Sequence, residues 1–191
     1  MQRGEETVVI PQPECYADCL HLVRSDYFRL QGQRKASWLR MCYTIPYQFW
    51  LRMSAYRGWL YPLCRLMHWH FSRFYSLQIA PTTPIGYGLY IGHNCGTIVN
   101  GTAVIGNNVN LSQFTTIGSN KGKAAFIGDN VYLGPSVCVI EDVTIASDST
   151  VGAGAVVTRD VPKGCTVAGV PARVISTASH PEYVCHRWKT N

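Results

Sequence analysis

Aliphatic residues recur at every sixth position through the middle of the chain: Ile79, Ile85 and Ile91, then Val99, Ile105, Leu111 and Ile117, then Ile127, Leu133, Val139, Ile145, Val151 and Val157. Small or β-branched residues stand two positions ahead of the later members, among them Ala103, Val109, Thr115, Val131, Val137 and Ala155. Glycine follows the aliphatic residue at Gly86, Gly92, Gly106, Gly118, Gly128, Gly134 and Gly152. A period of six with glycine at the turns suits no α-helix. It suits a parallel β-helix, in which each unit is a short strand plus a turn, three units close one coil, and coils stack about 4.8 Å apart through main-chain hydrogen bonds. Stacking buries a continuous aliphatic column that no single repeat could build alone.

The register slips twice. Two extra residues fall between Ile91 and Val99, around His93-Asn94-Cys95-Gly96, and four fall between Ile117 and Ile127. Insertions in a solenoid are pushed outward as loops and commonly carry the binding face. These two loops are where chemistry is expected.

Ahead of the repeats, Tyr16, Leu20, Val23, Tyr27 and Leu30 share one face at helical spacing and predict a helix over about 14–30. Residues 36–77 are crowded with aromatic, aliphatic and arginine side chains, and Pro46 and Pro62 are expected to divide them into two or three helices. Residues 1–13 read as a loose lead-in, 158–175 as the end of the last coil and its cap, and 176–191 as a tail without pattern. The expectation is a mainly β chain: a helical region over 1–77, a β-helix over 78–175, and the tail 176–191.

Composition changes the picture in three places. The eight cysteines form no CxxC pair and read as reduced thiols used as small apolar residues in a cytoplasmic protein. The start is too polar for a signal peptide, and no uncharged run reaches a membrane span. The formal net charge is +6, and between Asp26 and Asp129 there is no Asp or Glu while ten Lys and Arg occur. Such a surface could steer an anionic ligand such as a coenzyme phosphate or a phosphate-linked sugar. Two readings of residues 36–77 follow. One is a helical layer packed on itself and on the first coil, with Arg stems lying along aromatics. The other is peripheral contact with an anionic membrane, on the inner face of the cell membrane, with Arg40, Arg52, Arg57, Arg65 and Arg73 on lipid phosphates. No nucleic-acid partner is expected.

Of the six histidines only His93 lies in the repeat array, and it lies at the first slip. Imidazole is the side chain best suited to general-base work near neutral pH. At these residues the chain resembles a known family. Tyr90-Ile-Gly-His-Asn-Cys-Gly, Val151-Gly-Ala-Gly-Ala-Val-Val-Thr-Arg-Asp-Val-Pro and Val167-Ala-Gly-Val-Pro-Ala-Arg-Val-Ile are similar to segments of the hexapeptide-repeat acyltransferases, in their serine acetyltransferase and polysaccharide O-acetyltransferase branch. The resemblance implies a left-handed β-helix, a homotrimer with sites in the clefts between subunits, and acetyl-CoA as cosubstrate with no metal. It places His93 as the catalytic base, which would deprotonate an acceptor hydroxyl for direct attack on the thioester. Asn94 is expected beside the acceptor. Gly134, Ala153, Thr158, Arg159 and Arg173 fall at the family's coenzyme positions.

Departures from serine acetyltransferases bear on the acceptor. Gly92 and Gln78 stand where that branch carries Asp, the second insertion has Lys121, Lys123, Ala124 and Ala125 in place of a His, and the chain ends in Lys-Thr-Asn191 rather than in Ile. The expected activity is therefore O-acetylation of a sugar in a bacterial surface polysaccharide or its precursor, with a saccharide or lipid-linked saccharide as acceptor. Serine O-acetylation is the alternative, and a non-catalytic β-helix scaffold the second. Cys95 as a nucleophile is not required by the family's reaction. A γ-type carbonic anhydrase would need three zinc-binding His in the solenoid, where only His93 occurs.

Overall fold

The structure is a computed structural model that describes residues 1–4, 6–32 and 38–189, and the side chains of all of these except 38–44. The expected Arg34-Lys35 pair and the side chain of Arg40 lie outside the described residues.

The six-residue period closes into five stacked coils with three parallel faces. Face I holds Gln78–Ile79, Ile98–Val99, Thr116–Gly118, Cys138–Ile140 and Val156–Val157. Face II holds Val104–Ile105, Phe126–Ile127 and Thr144–Ile145, extended at its ends by single bridges from Ile85 to Ile105 and from Ile145 to Val161. Face III holds Tyr90–Ile91, Asn110–Leu111, Tyr132–Leu133, Thr150–Val151 and Thr166–Ala168. Every aliphatic residue of the sequence row points inward, from Ile79 to Val157, and none is more than 6% exposed. Each such side chain contributes roughly 1.5–3 kcal/mol relative to an exposed one. The last coil is completed by Val161 and Val167, which close it in steps of four and six residues. The strand Arg173–Ser176 then turns back antiparallel on Thr166–Ala168 and covers that end, as a solenoid end requires.

One corner of the triangle shows why asparagine recurs. Asn108, Asn130 and Asp148 all have φ between 56° and 59°, the left-handed region that Asn and Asp tolerate better than other side chains. Their side chains form a ladder: the Asn108 amide donates to Asn130 and the Asn130 amide to Asp148 at 3.0 Å.

Among the described residues three helices precede the coils: α1 Tyr16–Gln31, α2 Trp38–Met53 and α3 Tyr61–Tyr75. Asp18 caps α1 by accepting from the Glu14 and Cys15 main-chain N–H groups at 2.9 and 3.0 Å, which holds its carboxyl below the usual range. Pro62 starts α3, where its missing N–H costs nothing. Pro46 does not divide the region as expected. It lies inside α2, where the helix forgoes one hydrogen bond because its inner face is held by the first coil.

That first coil has no coil above it, and the helices supply what a coil would. Tyr47 Oη accepts from the Ile79 N–H, and Gln48 Nε2 donates to the Leu89 carbonyl at 2.9 Å. Arg52 donates to the Ile85 and Gly86 carbonyls at 3.0 and 2.8 Å and pairs with both oxygens of Asp26 at 2.8 Å. Asp26 in turn accepts from the Leu89 N–H. Ser25 accepts from the Gly88 N–H, and Arg29 donates to the Gly88 carbonyl and to Asn110. Arg52 is 3% exposed, which withdraws it from the set expected on lipid phosphates. Its guanidinium is consumed by the interior.

Both termini are laid on the coils. Gln2–Arg3 pairs antiparallel with Glu6–Thr7, Arg3 bonds Asp142, and Glu6 accepts from Ser147 Oγ at 2.6 Å on face II. The lead-in is thus a strap and not a loose segment. The tail is another. From the last coil downward, the Ala178 carbonyl accepts from Thr166, the His180 N–H donates to Thr150, the Tyr183 ring lies 4.9 Å from that of Tyr132, and the Tyr183 carbonyl accepts from Asn110. It ends against α1, where Trp188 exchanges two hydrogen bonds with Asn108 and the His186 ring stacks on Phe28 at 4.1 Å.

Asp26→Ala should lower the unfolding free energy by about 3–5 kcal/mol, since it leaves the buried Arg52 charge with two carbonyls but no counter-ion. Urea titration measures it; a loss below 1 kcal/mol would mean the helical layer is held by packing alone.

His68, 7% exposed on the inner face of α3, lies 5.5 Å from the Tyr47 ring. Burial, with help from Arg65, pushes its pKa from 6.5 down to about 4. Below 6.5 the unfolded chain binds a proton that the folded chain refuses. The stability at stake is complete above pH 6.5 and is lost as pH falls toward 4, on the order of 3 kcal/mol in all. In urea titrations from pH 7 to 4.5, His68→Gln should remove that part of the slope.

Candidate active site

The corner between faces III and I stacks four turns into one column. The Phe114 N–H donates to the Cys95 carbonyl at 3.0 Å, the Ser136 N–H to the Gln113 carbonyl at 2.9 Å, and the Gly154 N–H to the Pro135 carbonyl at 2.8 Å. His93 stands at the head of this column, in the first insertion, with an exposed side chain. Gly134 and Ala153 lie in the same column, in the turns of the third and fourth coils. Sequence spacing therefore brings three of the expected site residues to one edge.

The reason for glycine at position 134 is visible. A Cβ there would meet the main-chain nitrogen of Ala153 at 2.8 Å and the Val151 carbonyl oxygen at 3.0 Å, so the turn closes only without a side chain. Ala153 and Gly154 are exposed, and the column presents a narrow strip of small residues and main chain. Thr158 and Arg159 are exposed on the next corner, between faces I and II, and Arg173 is exposed in the capping strand. These three are not gathered with His93 within one chain.

His93 opens on a groove of about 330 Å³ whose walls include Tyr90, Ser112, Gln113, Tyr132, Glu182 and Tyr183. Ser112 and Gln113 come from the second coil and Tyr132 from the third; Glu182 and Tyr183 come from the tail. Glu182 is the one carboxylate among the described residues of that wall. Its own main-chain N–H and the His180 ring, 2.8 Å away, hold its carboxyl below the usual range. Neither Glu182 nor Tyr183 could be found from sequence, because the tail has no period and reaches the groove only by folding back along face III.

Asn94 behaves differently from its neighbour. Its amide nitrogen and oxygen are both buried without a hydrogen-bond partner among the described residues. Leaving each unpaired costs about 1–3 kcal/mol.

The second insertion does not join His93. It projects from the corner between faces I and II, and Glu141 holds it there by accepting from Ser119 Oγ at 2.8 Å and from the Asn120 and Lys121 N–H groups at 3.3 Å. The two slips thus flank face I on opposite edges. A wider groove of about 800 Å³ between α3 and face I contains none of the expected site residues apart from Gln78, a departure position.

Comparison with known proteins agrees with this architecture. Residues 124–159 match the family described as bacterial transferase hexapeptide (six repeats). The chain is 37% identical over 127 residues to a serine acetyltransferase of Bacillus subtilis, covering 64% of this chain and 58% of that protein. It superposes with a TM-score of 0.72 and 27% identity on a soybean serine acetyltransferase complexed with serine, covering 83% of this chain and 70% of that one. A serine acetyltransferase from Brucella abortus in complex with coenzyme A has the same fold, with a TM-score of 0.72, 24% identity, and coverage of 85% and 70%. The chain spans about half the length of the curated relatives it matches. It shares the left-handed β-helix fold of these acetyltransferases and is similar to the hexapeptide-repeat acyltransferases.

Gly134→Ala should cost about 1–3 kcal/mol, since the added methyl meets main chain that cannot rotate away. Thermal unfolding of the purified variant reads this; an unchanged midpoint would show that the fourth coil can shift to admit it.

Proposed function

We propose that the protein is an acetyl-CoA-dependent O-acetyltransferase with His93 as its general base. The observation that carries the reading is the placing of an exposed imidazole at the head of a column of small-residue turns, where an extended pantetheine arm could lie along the wall. Gly134 and Ala153 would leave room for that arm, and the exposed cations Arg159 and Arg173, with Thr158, would meet the adenine and phosphate end. Neutral imidazole at His93 accepts the hydroxyl proton as the acceptor oxygen bonds to the thioester carbon. The tetrahedral oxyanion then collapses, the carbon–sulfur bond breaks, and the departing thiolate recovers the proton from the imidazolium. No acyl-enzyme forms, so the exposed Cys95 has no part in the reaction.

For the acceptor, the relatives' names support L-serine ahead of the saccharide expected from sequence. One set of positions favours a saccharide as the second reading: Gly92 and Gln78 stand where the resemblance expects carboxylates that would help to grip an amino acid, and Glu182 is the one acid among the groove's described residues. Asn94, next to His93, is the residue we place beside the acceptor; its amide is buried in the single chain and would have to turn outward to reach it.

Face I favours a homotrimer with sites between subunits. Its outward residues Ile98 and Ile140 are 42% and 40% exposed, and neither terminal strap covers it. A second copy against that face would let one site draw on both insertions, which a single chain holds apart. An acetyl-CoA-dependent reaction fits the cytoplasmic location expected from the sequence.

The deciding assay follows CoA thiol release from acetyl-CoA by the purified chain, with L-serine against a panel of sugars and lipid-linked oligosaccharides. Release with serine supports the first acceptor, and release with a saccharide alone supports the second. Silence together with no acetyl-CoA binding would return the chain to the scaffold reading. On the active acceptor, His93→Ala should lower kcat by about 10²–10⁴ with acetyl-CoA affinity nearly kept. Wild-type turnover in that variant would remove His93 from the base role.

A further inference from the structure

Helix α3 has two unlike faces. Inward, Cys64 and His68 are buried, and Phe71 and Tyr75 pack on the solenoid core. Outward, Leu63, Leu66, Trp69 and Phe74 are 48%, 59%, 55% and 67% exposed, and Trp59 in the turn ahead is 82% exposed. Within α3, Leu63, Leu66 and Trp69 lie three apart and Phe74 lies eight past Leu66, which puts them on one side of the helix as a patch rather than scattered. Arg65 and Arg73 are exposed on the same face and Arg57 stands just before it. The Arg73 guanidinium lies 5.2 Å from the centre of the Trp69 ring, which sets a cation and an indole side by side at the surface.

Among the described residues no carboxylate forms an ion pair with these arginines. The chain has no Asp or Glu between Asp26 and Asp129. Asp26 is buried against Arg52, Asp18 of α1 caps its own helix, and Glu141 holds the second insertion. A second copy of the same face would set guanidinium against guanidinium. A soluble anion would satisfy the arginines and leave the large apolar side chains in water. An anionic lipid surface takes both, with indole and aliphatic side chains at headgroup depth and guanidiniums on phosphates.

We propose that the outer face of α3 is a docking surface for anionic membrane, seating the protein on lipid through Leu63, Leu66, Trp69 and Phe74 with Arg57, Arg65 and Arg73 on headgroup phosphates. No helix of the described residues is long and apolar enough to cross a membrane, so the contact is peripheral. It differs from the surface expected of the sequence, because Arg52 is withdrawn and the seat is confined to α3 and the turn before it. The proposal rests on surface chemistry and is independent of the reaction assigned to His93; because Arg57, Arg65 and Trp69 also border the groove beside face I, it requires that a second copy on face I leave them open.

The test is flotation of the full chain with phosphatidylcholine vesicles, with and without phosphatidylglycerol, across a salt series. Binding is expected to the phosphatidylglycerol vesicles, weakening as salt rises. Arg65→Gln and Arg73→Gln should each weaken it about fivefold. Leu66→Ser with Trp69→Ser should abolish it, while circular dichroism and thermal unfolding stay those of the parent. Three results would overturn the proposal: no flotation with phosphatidylglycerol at low salt, equal flotation with pure phosphatidylcholine, or binding untouched by all these substitutions. A fourth is an oligomer in sedimentation velocity that Leu66→Ser alone dissociates, which would show that another copy covers α3.

Discussion

A stack of coils always has a first coil, and the main-chain groups on its outer edge have no partner in the repeat. Here those groups are met by side chains from the helices: Tyr47, Gln48 and Arg52 of α2, and Ser25, Asp26 and Arg29 of α1. Burying unpaired carbonyls and N–H groups would cost a few kcal/mol each, so this edge could not be covered by an apolar layer. The charge within it is equally constrained. Arg52 and Asp26 sit together nearly without solvent, a bond whose net contribution is small but whose rupture is costly. Burial also lowers the Arg29 pKa to about 10, which leaves it a cation at neutral pH. The seating of α1 and α2 follows from these bonds, and α3 is held by α2 and by Phe71 and Tyr75 on the core.

The three faces of the coil meet different fates, and the difference decides where function can be. Face II carries the amino-terminal strap through Arg3 and Glu6, and face III carries the carboxy-terminal tail. Face I remains open, with His93 at one edge and the Glu141-anchored insertion at the other. A chain that wraps two of its own faces leaves the third for other molecules. The helical layer repeats the division on a smaller scale, with α2 spent on the first coil and α3 turned half outward.

The coils were legible because each repeat solves the same local problem with the same residues. Ile79 to Val157 needed only counting, and the slips at 93–96 and 118–126 marked loops correctly. Counting failed where the chain stopped repeating: Val161 closes the last coil after four residues rather than six. The same count puts the two slips at different corners, since one follows the third aliphatic position, the other the seventh, and three positions close a coil. Arg52 looked like its neighbours Arg57 and Arg65 in sequence, and only the partner at Asp26, twenty-six positions away, distinguishes it. Pro46 misled for a similar reason, since a helix held by tertiary bonds tolerates a missing local one. The tail was opaque because its bonds join unpatterned main chain to rungs spread over four coils. Glu182 and Tyr183 therefore entered the His93 groove without any local signal.

A linear array of coils ordinarily has contacts only between neighbours, so its ends can fray without consulting each other. The tail changes that connectivity. It leaves the fifth coil, bonds the fourth, third and second in turn, and finishes on α1 at Phe28 and His21. The two ends of the solenoid are thereby tied by a second path that bypasses the core. Loosening the cap would loosen the seat of α1, and the array would melt as one cooperative unit rather than coil by coil.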